Sequence, residues 1–87
     1  MELMSSAAQK AGISKNLADL LAVQTALGAG KLAQGSAHTP AELRQMVTSK
    51  KGTTEAALNH LLSKQFDKIF LEALKQAEKR AHELSQL

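Results

Sequence analysis

Apolar residues recur at steps of three and four along most of the chain, which is the spacing of an amphipathic helix. The longest stripe lies near the carboxyl terminus, where charged residues occupy the positions between the apolar ones. No stretch alternates apolar and polar residues with the period of two that is typical of a strand. The pattern therefore predicts an all-α fold, a helical bundle of about five helices.

Local start and stop residues set the predicted boundaries of these helices. Gly12 suits the left-handed position after a helix, and Ser14 suits the N-cap of the next helix. The run Thr39-Pro40-Ala41-Glu42 is typical of a capping box with proline at the first helical position. A break is expected near residues 64–65. The predicted helices cover residues 2–11, 15–34, 40–47, 53 to the break, and 66–84.

The composition leaves this chain with a thin core. A folded chain of 87 residues buries only about 60–65% of the surface that its unfolded form exposes. Phe66 and Phe70 are its only aromatic residues, and it has no cysteine for a disulfide. The core would have to come from Leu, Ala, Ile, Val and Met. A domain of this kind often needs a partner. We therefore expect the chain to pair with a second copy of itself as a homodimer, or to form a higher oligomer.

Small residues line one part of the second predicted helix. Gly28 and Gly30 each lower the stability of the helix by about 1 kcal/mol relative to alanine, so their presence calls for an explanation. Close approach of another backbone is one reason, and a locally weak helix is the other interpretation. The members of this small-residue stripe are Ala22, Ala26, Gly28, Ala29, Gly30 and Ala33.

Several functional classes are disfavoured by the composition. His38, His60 and His82 are widely separated, so we expect no metal site. No apolar run reaches the ~18 residues that a membrane span needs, so no membrane partner is expected. The first four residues do not resemble a secretory signal. The lack of cysteine is compatible with a cytoplasmic location.

The net charge of +3 lies in one middle segment. Residues 31–54 contain Lys31, Arg44, Lys50 and Lys51 against Glu42 alone, while the rest of the chain has seven basic and seven acidic residues. A local excess of positive charge favours an anionic partner, which need not be nucleic acid.

The same segment contains the most informative group of polar residues. Ser49, Thr53 and Thr54 supply hydroxyls, and Gly52 allows close backbone approach at the start of a helix. A helix N-terminus presents unpaired N–H groups and a partial positive charge, which suit a carboxylate or phosphate. Plain helix capping is the other interpretation, and on the pattern alone it is the simpler one.

Five blocks of sequence resemble the carboxyl-terminal domain of pyrroline-5-carboxylate reductase. They are LAVQTALGAGK at 21–31, PAELR at 40–44, VTS at 47–49, GTT at 52–54 and AEKRAHEL at 77–84. The order and spacing agree, and the resemblance covers residues 1–87. It implies a helical dimerisation domain whose two copies interlock, with the amino-terminal dinucleotide-binding domain absent from these residues.

The resemblance also implies an activity and residue roles. Such enzymes reduce 1-pyrroline-5-carboxylate to proline with NADPH or NADH. Ser49, Gly52, Thr53 and Thr54 would hold the carboxylate of the imino acid or of proline. Thr54 would also form a hydrogen bond near the ring nitrogen, which makes it the candidate catalytic residue. We expect no cofactor to bind this chain alone, and no reductase activity from it.

The loop departs from the family pattern at two positions. That pattern is Ser-Pro-Gly-Gly-Thr-Thr or close to it, and here Lys50 and Lys51 replace the proline and the first glycine. If that glycine has a positive φ, Lys51 either costs about 1 kcal/mol there or reshapes the turn.

Two other functions are compatible with short helices flanking a basic turn. One is a helix-turn-helix DNA-binding domain. It is disfavoured because residues 54–63, which would read the DNA, contain Glu55 and no Lys or Arg, so no nucleic-acid partner is expected. The other is a non-catalytic helical assembly module, which the sequence barely separates from the reductase domain.

Overall fold

The computed structural model describes all residues from Met1 to Leu87 and contains five α-helices and no strand. The prediction of an all-α fold is therefore confirmed. Relative to the sequence prediction, α1 ends one residue earlier and α5 ends one residue later, which is within the usual uncertainty of helix ends. The helices are α1 (Glu2–Lys10), α2 (Lys15–Gln34), α3 (Pro40–Val47), α4 (Thr53–Ser63) and α5 (Phe66–Ser85).

The chain divides into two compact units, Met1–Arg44 and Gln45–Leu87. In the first unit α1 packs against α2, and in the second α4 contacts α5. The candidate site described below lies wholly within the second unit.

The turn between α1 and α2 forms as the sequence predicts. Gly12 has a φ of +102°. Its N–H donates to the carbonyl of Gln9 at 3.0 Å, and the N–H of Ile13 donates to Ala8 at 3.1 Å. These two bonds form a Schellman motif. Ser14 is the N-cap of α2, as predicted, although its side chain makes no capping hydrogen bond.

The start of α3 is a complete capping box. The N–H of Thr39 donates to Glu42 Oε1 at 2.9 Å, and the N–H of Glu42 donates to Thr39 Oγ1 at 3.2 Å. The Thr39 backbone bond is the main reason that the pKa of Glu42 lies below its usual value, and the Thr39 side chain adds to the effect. The prediction for this boundary is confirmed.

The buried core of the single chain is very small. Only Ala18, Ala22 and Ser5 are buried, and no large apolar side chain is fully enclosed. Of the residue types expected to build the core, which were Leu, Ala, Ile, Val and Met, only Ala does so within one chain. Every residue of α5 is exposed, although its apolar stripe includes Phe66 and Phe70, whose rings lie 5.8 Å apart. Large apolar faces on α2 and α5 are thus left open.

The small-residue stripe on α2 meets no backbone of its own chain. A Cβ added at Gly28 or Gly30 would find no atom within 4 Å. A close approach at these glycines is therefore absent within one chain. Contact with a second copy stays a prediction.

Candidate functional site

A tight turn brings the predicted site residues together at the start of α4. The N–H of Gly52 donates to the carbonyl of Ser49 at 3.0 Å, which closes a four-residue turn. Thr53 and Thr54 follow directly as the first two residues of α4, whose N-cap is Gly52. All four predicted site residues therefore lie within a single turn and the first turn of one helix.

Gly52 is required here by space and not by its backbone angles. Its φ of −86° is open to any residue. An added Cβ, however, would collide with the Ser49 hydroxyl oxygen and would lie 3.1 Å from the Ser49 carbonyl oxygen. The Ser49 side chain thus lies directly over Gly52. Any larger residue at position 52 would displace that hydroxyl or open the turn.

Lys51 adopts the left-handed conformation. This was one of the two outcomes expected for a lysine at this position, the other being a reshaped turn. Its φ is +60°, and the only other non-glycine residue with a positive φ is Gln65, at the break before α5. The turn is not reshaped to avoid this conformation, which costs a lysine about 1 kcal/mol relative to glycine. The N–H of Lys51 donates to Glu55 Oε1 at 3.1 Å.

The first N–H groups of α4 remain available. No side chain caps the helix, and the N–H groups of Thr53 and Thr54 make no hydrogen bond within the chain. The hydroxyls of Ser49, Thr53 and Thr54 are likewise without a hydrogen-bond partner in the chain. Plain capping would have bonded these hydroxyls to the helix, so the capping interpretation does not describe this boundary.

The electrostatics of the turn favour an anion. The start of α4 carries the partial positive charge of a helix N-terminus. Lys50 and Lys51 are exposed beside it, and Thr54 is half-buried. Glu55 is the one acidic residue in the first turn of α4, and one of its oxygens already accepts the Lys51 N–H. The arrangement suits a small carboxylate that approaches along the helix axis.

Glu55 is the site residue that the sequence analysis missed. It lies three residues after the N-cap, the spacing of a capping box. With glycine instead of serine or threonine at position 52, that motif is not recognisable from the sequence. The carboxylate also bonds to Lys51 rather than to the N-cap residue itself.

The helices were compared with the usual features of a metal site and of a nucleotide-binding loop. No group of three or more His, Asp and Glu side chains is placed to hold a metal ion. The Gly28-Ala29-Gly30 run, which superficially resembles a dinucleotide loop, lies inside α2 with no strand before it. This run therefore lacks the structural context of a dinucleotide-binding loop. None of the helices is both long enough and apolar enough to cross a bilayer.

Comparisons with known proteins give one consistent result. The chain is 43% identical over 86 residues to a pyrroline-5-carboxylate reductase of Pseudomonas aeruginosa, covering 99% of this chain and 32% of that protein. It is 36% identical over 86 residues to pyrroline-5-carboxylate reductase 2 of Bacillus subtilis, covering 99% and 31%. The chain therefore spans about a third of the length of these curated relatives.

A solved structure and a family comparison agree with these relatives. The structure of a pyrroline-5-carboxylate reductase from Coxiella burnetii matches with a TM-score of 0.86 and 42% identity, covering 95% of this chain and 31% of that one. The family described as pyrroline-5-carboxylate reductase dimerisation matches residues 1–84. On these matches, the chain belongs to the pyrroline-5-carboxylate reductase dimerisation-domain family.

Proposed function

We propose that this chain is the dimerisation and imino-acid-binding domain of an enzyme that reduces 1-pyrroline-5-carboxylate to L-proline. The observation that carries the proposal is the uncapped start of α4. There Ser49, Thr53 and Thr54 keep unbonded hydroxyls beside free helix N–H groups. Membership of the reductase family supports a carboxylate of the imino acid as the anion for this site.

Each residue has a distinct part in the proposed site. The N–H groups of Thr53 and Thr54 point along the helix axis and would bind the carboxylate, because helix N-termini favour anions. The Ser49 hydroxyl, held over Gly52, would donate a further hydrogen bond. Thr54 is half-buried and is proposed to lie near the ring nitrogen of the substrate, where its hydroxyl would act as the catalytic group.

The pyridine nucleotide is assigned to a part of the parent protein outside these residues. NADPH or NADH would supply the hydride for the carbon–nitrogen double bond. The five helices include no strand, glycine-rich turn and helix in sequence, which is the unit that typically holds a dinucleotide. The chain covers about a third of its relatives, which agrees with this division. We expect no reductase activity from the chain alone. A cytoplasmic location remains a prediction that rests on the cysteine-free sequence.

A second copy of the chain is the proposed partner for the open apolar faces. The six large apolar side chains of α5 are between 48 and 60% exposed. Burying the exposed half of each would contribute about 1 kcal/mol, or about 12 kcal/mol for a pair of chains. That gain is of the same order as the ~4–15 kcal/mol that association costs. The leucines of α2 are also about half exposed. Their burial would add the free energy by which the gain exceeds the cost of association. The six are Phe66, Ile69, Phe70, Leu71, Leu74 and Leu84.

The structure disfavours one of the two alternative functions, and the other needs an experiment. A helix-turn-helix domain would read DNA with α4, and α4 contains no Lys or Arg. A non-catalytic assembly module differs from our proposal only in lacking a ligand at the turn. The discriminating experiment is therefore a ligand titration.

The experiment is an NMR titration of the chain with L-proline, with pyrrolidine as the matched control that lacks the carboxylate. We expect L-proline to shift the amide signals of Ser49, Thr53 and Thr54, and pyrrolidine to leave them in place. If these amides do not move at saturating L-proline, the chain is an assembly module without this site. Equal shifts with pyrrolidine would show that the carboxylate is not what the turn recognises.

A further inference from the structure

We propose that Glu55 is a positioning residue for the carboxylate site. By accepting the Lys51 N–H, it holds Lys51 in the left-handed conformation on which the turn at Ser49 and Gly52 depends. The conformational part of this proposal stands on the structure alone. The consequence for ligand binding rests on the proposed function.

Lys51 holds a backbone conformation that a lysine disfavours. A lysine at a φ of +60° is disfavoured relative to glycine. An unconstrained lysine would therefore spend most of its time at negative φ. The bond of 3.1 Å from its N–H to Glu55 Oε1 opposes such a change. Because the acceptor is a carboxylate, this bond is stronger than one between neutral groups.

The conformation of Lys51 controls the turn that precedes α4. Lys51 immediately precedes Gly52, so its dihedral angles set the direction of the Gly52 N–H. That N–H donates to the Ser49 carbonyl at 3.0 Å and places the Ser49 hydroxyl over Gly52. If Lys51 left the left-handed region, this bond and the position of Ser49 would be lost together. Glu55 therefore acts on the site through Lys51 without touching a ligand.

Glu42 occupies the position in α3 that is equivalent to Glu55 in α4. Glu42 accepts the N–H of Thr39, and the Thr39 hydroxyl in return occupies the Glu42 N–H. In α4 the carboxylate instead reaches Lys51, the residue before the N-cap, and no side chain occupies the helix N–H groups. Glu55 thus stabilises the turn while leaving free the donors that would bind a carboxylate.

The conformational part is tested without ligand on Glu55→Ala and Glu55→Gln. A positive φ places the amide and α protons of a residue close together, so Lys51 should show a strong NOE between them. We expect this NOE to weaken in Glu55→Ala and to persist in Glu55→Gln, whose amide oxygen still accepts a hydrogen bond. An unchanged NOE in Glu55→Ala would overturn the proposal.

The binding part is tested by L-proline titration of the same variants. We expect Glu55→Ala to bind about tenfold more weakly, and Glu55→Gln to bind at least as tightly as the wild type. The matched control is Glu42→Ala, which removes the same kind of bond from α3 and should change the affinity less than twofold. Equal losses in both alanine variants would reduce Glu55 to an ordinary helix cap and contradict the proposal.

A rescue variant tests whether Glu55 acts through Lys51. Glycine adopts a positive φ without cost, so adding Lys51→Gly to Glu55→Ala should restore most of the affinity for L-proline. Failure of this rescue, with the protein folded, would overturn the positioning role. If the wild type itself does not bind L-proline, the proposed function falls instead, and the Lys51 NOE alone then decides whether Glu55 holds the turn.

Discussion

The buried hydroxyl of Ser5 donates a hydrogen bond to the half-exposed carboxylate of Asp19, and this is the one side-chain hydrogen bond that joins α1 to α2. Lys15 pairs with the other carboxylate oxygen at 2.9 Å, and Gln9 donates to the Ser5 oxygen at 3.3 Å. A short helix such as α1 has little stability of its own. Its position on α2 therefore depends on this hydrogen bond together with the packing along α2, where Ala18 and Ala22 are buried.

The hydrogen bond between Ser5 and Asp19 should make the stability of the first unit fall in acid. The Ser5 bond, and next Lys15, lowers the pKa of Asp19 below its ordinary 3.8. A lowered folded pKa means that the stabilisation is complete above pH 3.8 and is lost as the pH falls through the folded value. We expect Ser5→Ala to be less stable than the wild type at neutral pH and to converge with it in acid. Denaturant unfolding at several pH values measures this. Parallel pH profiles for the two proteins would exclude the role of Asp19.

Gly52 should tolerate no side chain. In Gly52→Ala the new Cβ would collide with the Ser49 hydroxyl, so we expect the turn to open and L-proline binding to fall by at least tenfold. The control is Gly35→Ala, where the nearest atom to an added Cβ is 3.4 Å away, an ordinary contact. NMR titration of both variants gives the affinities. Normal binding by Gly52→Ala would mean that the closed turn is not the binding conformation.

The small-residue stripe of α2 gives a test of the contact between copies. A side chain at Gly28 meets nothing within one chain, and replacing a helical glycine raises helix stability by up to about 1 kcal/mol. If a second copy packs against the stripe, Gly28→Leu should nevertheless weaken association, by tenfold or more. Circular dichroism and sedimentation together separate the two effects. Higher helicity with unchanged association would place Gly28 outside the interface.

The apolar face of α5 gives an independent test. Phe70 is 53% exposed, and Lys79 lies nine residues later, which is the opposite side of an α-helix. We expect Phe70→Asp to shift the equilibrium strongly towards monomer, because a carboxylate would be buried against the partner's apolar face. Lys79→Asp adds the same side chain on the charged side and should leave association nearly unchanged. Similar behaviour of the two variants would show that α5 does not pair through Phe70.

The helices and their caps were predictable because they depend on neighbouring residues. Gly12 and the pair Thr39 and Glu42 act over three or four positions, and the structure confirms both. The burial of Ser5 was not predictable, since it depends on which face of α1 meets α2. The exposure of the leucines likewise depends on partners that periodicity does not identify.

The candidate site was predictable in its members but not in its geometry. Ser49, Thr53 and Thr54 stand out as hydroxyls at a helix start, and the roles that the family resemblance implies for them stay a prediction. The bond from the Lys51 N–H to Glu55 was not predictable from the sequence. In a capping box the glutamate accepts the N–H of the N-cap residue, whereas Glu55 accepts the N–H of the residue before the N-cap, which has a positive φ. A departure from the expected glycine at position 51 was visible in the sequence, and the residue that compensates for it was not.

The most direct test of the account is the mass of this chain in solution. Sedimentation equilibrium over a concentration series distinguishes one chain of 9.3 kDa from a pair of twice that mass. We expect the pair, or a multiple of it, with monomer appearing only on strong dilution. A folded species that stays at 9.3 kDa throughout the series, and that unfolds cooperatively, would contradict the claim that a second copy covers the open faces of α2 and α5.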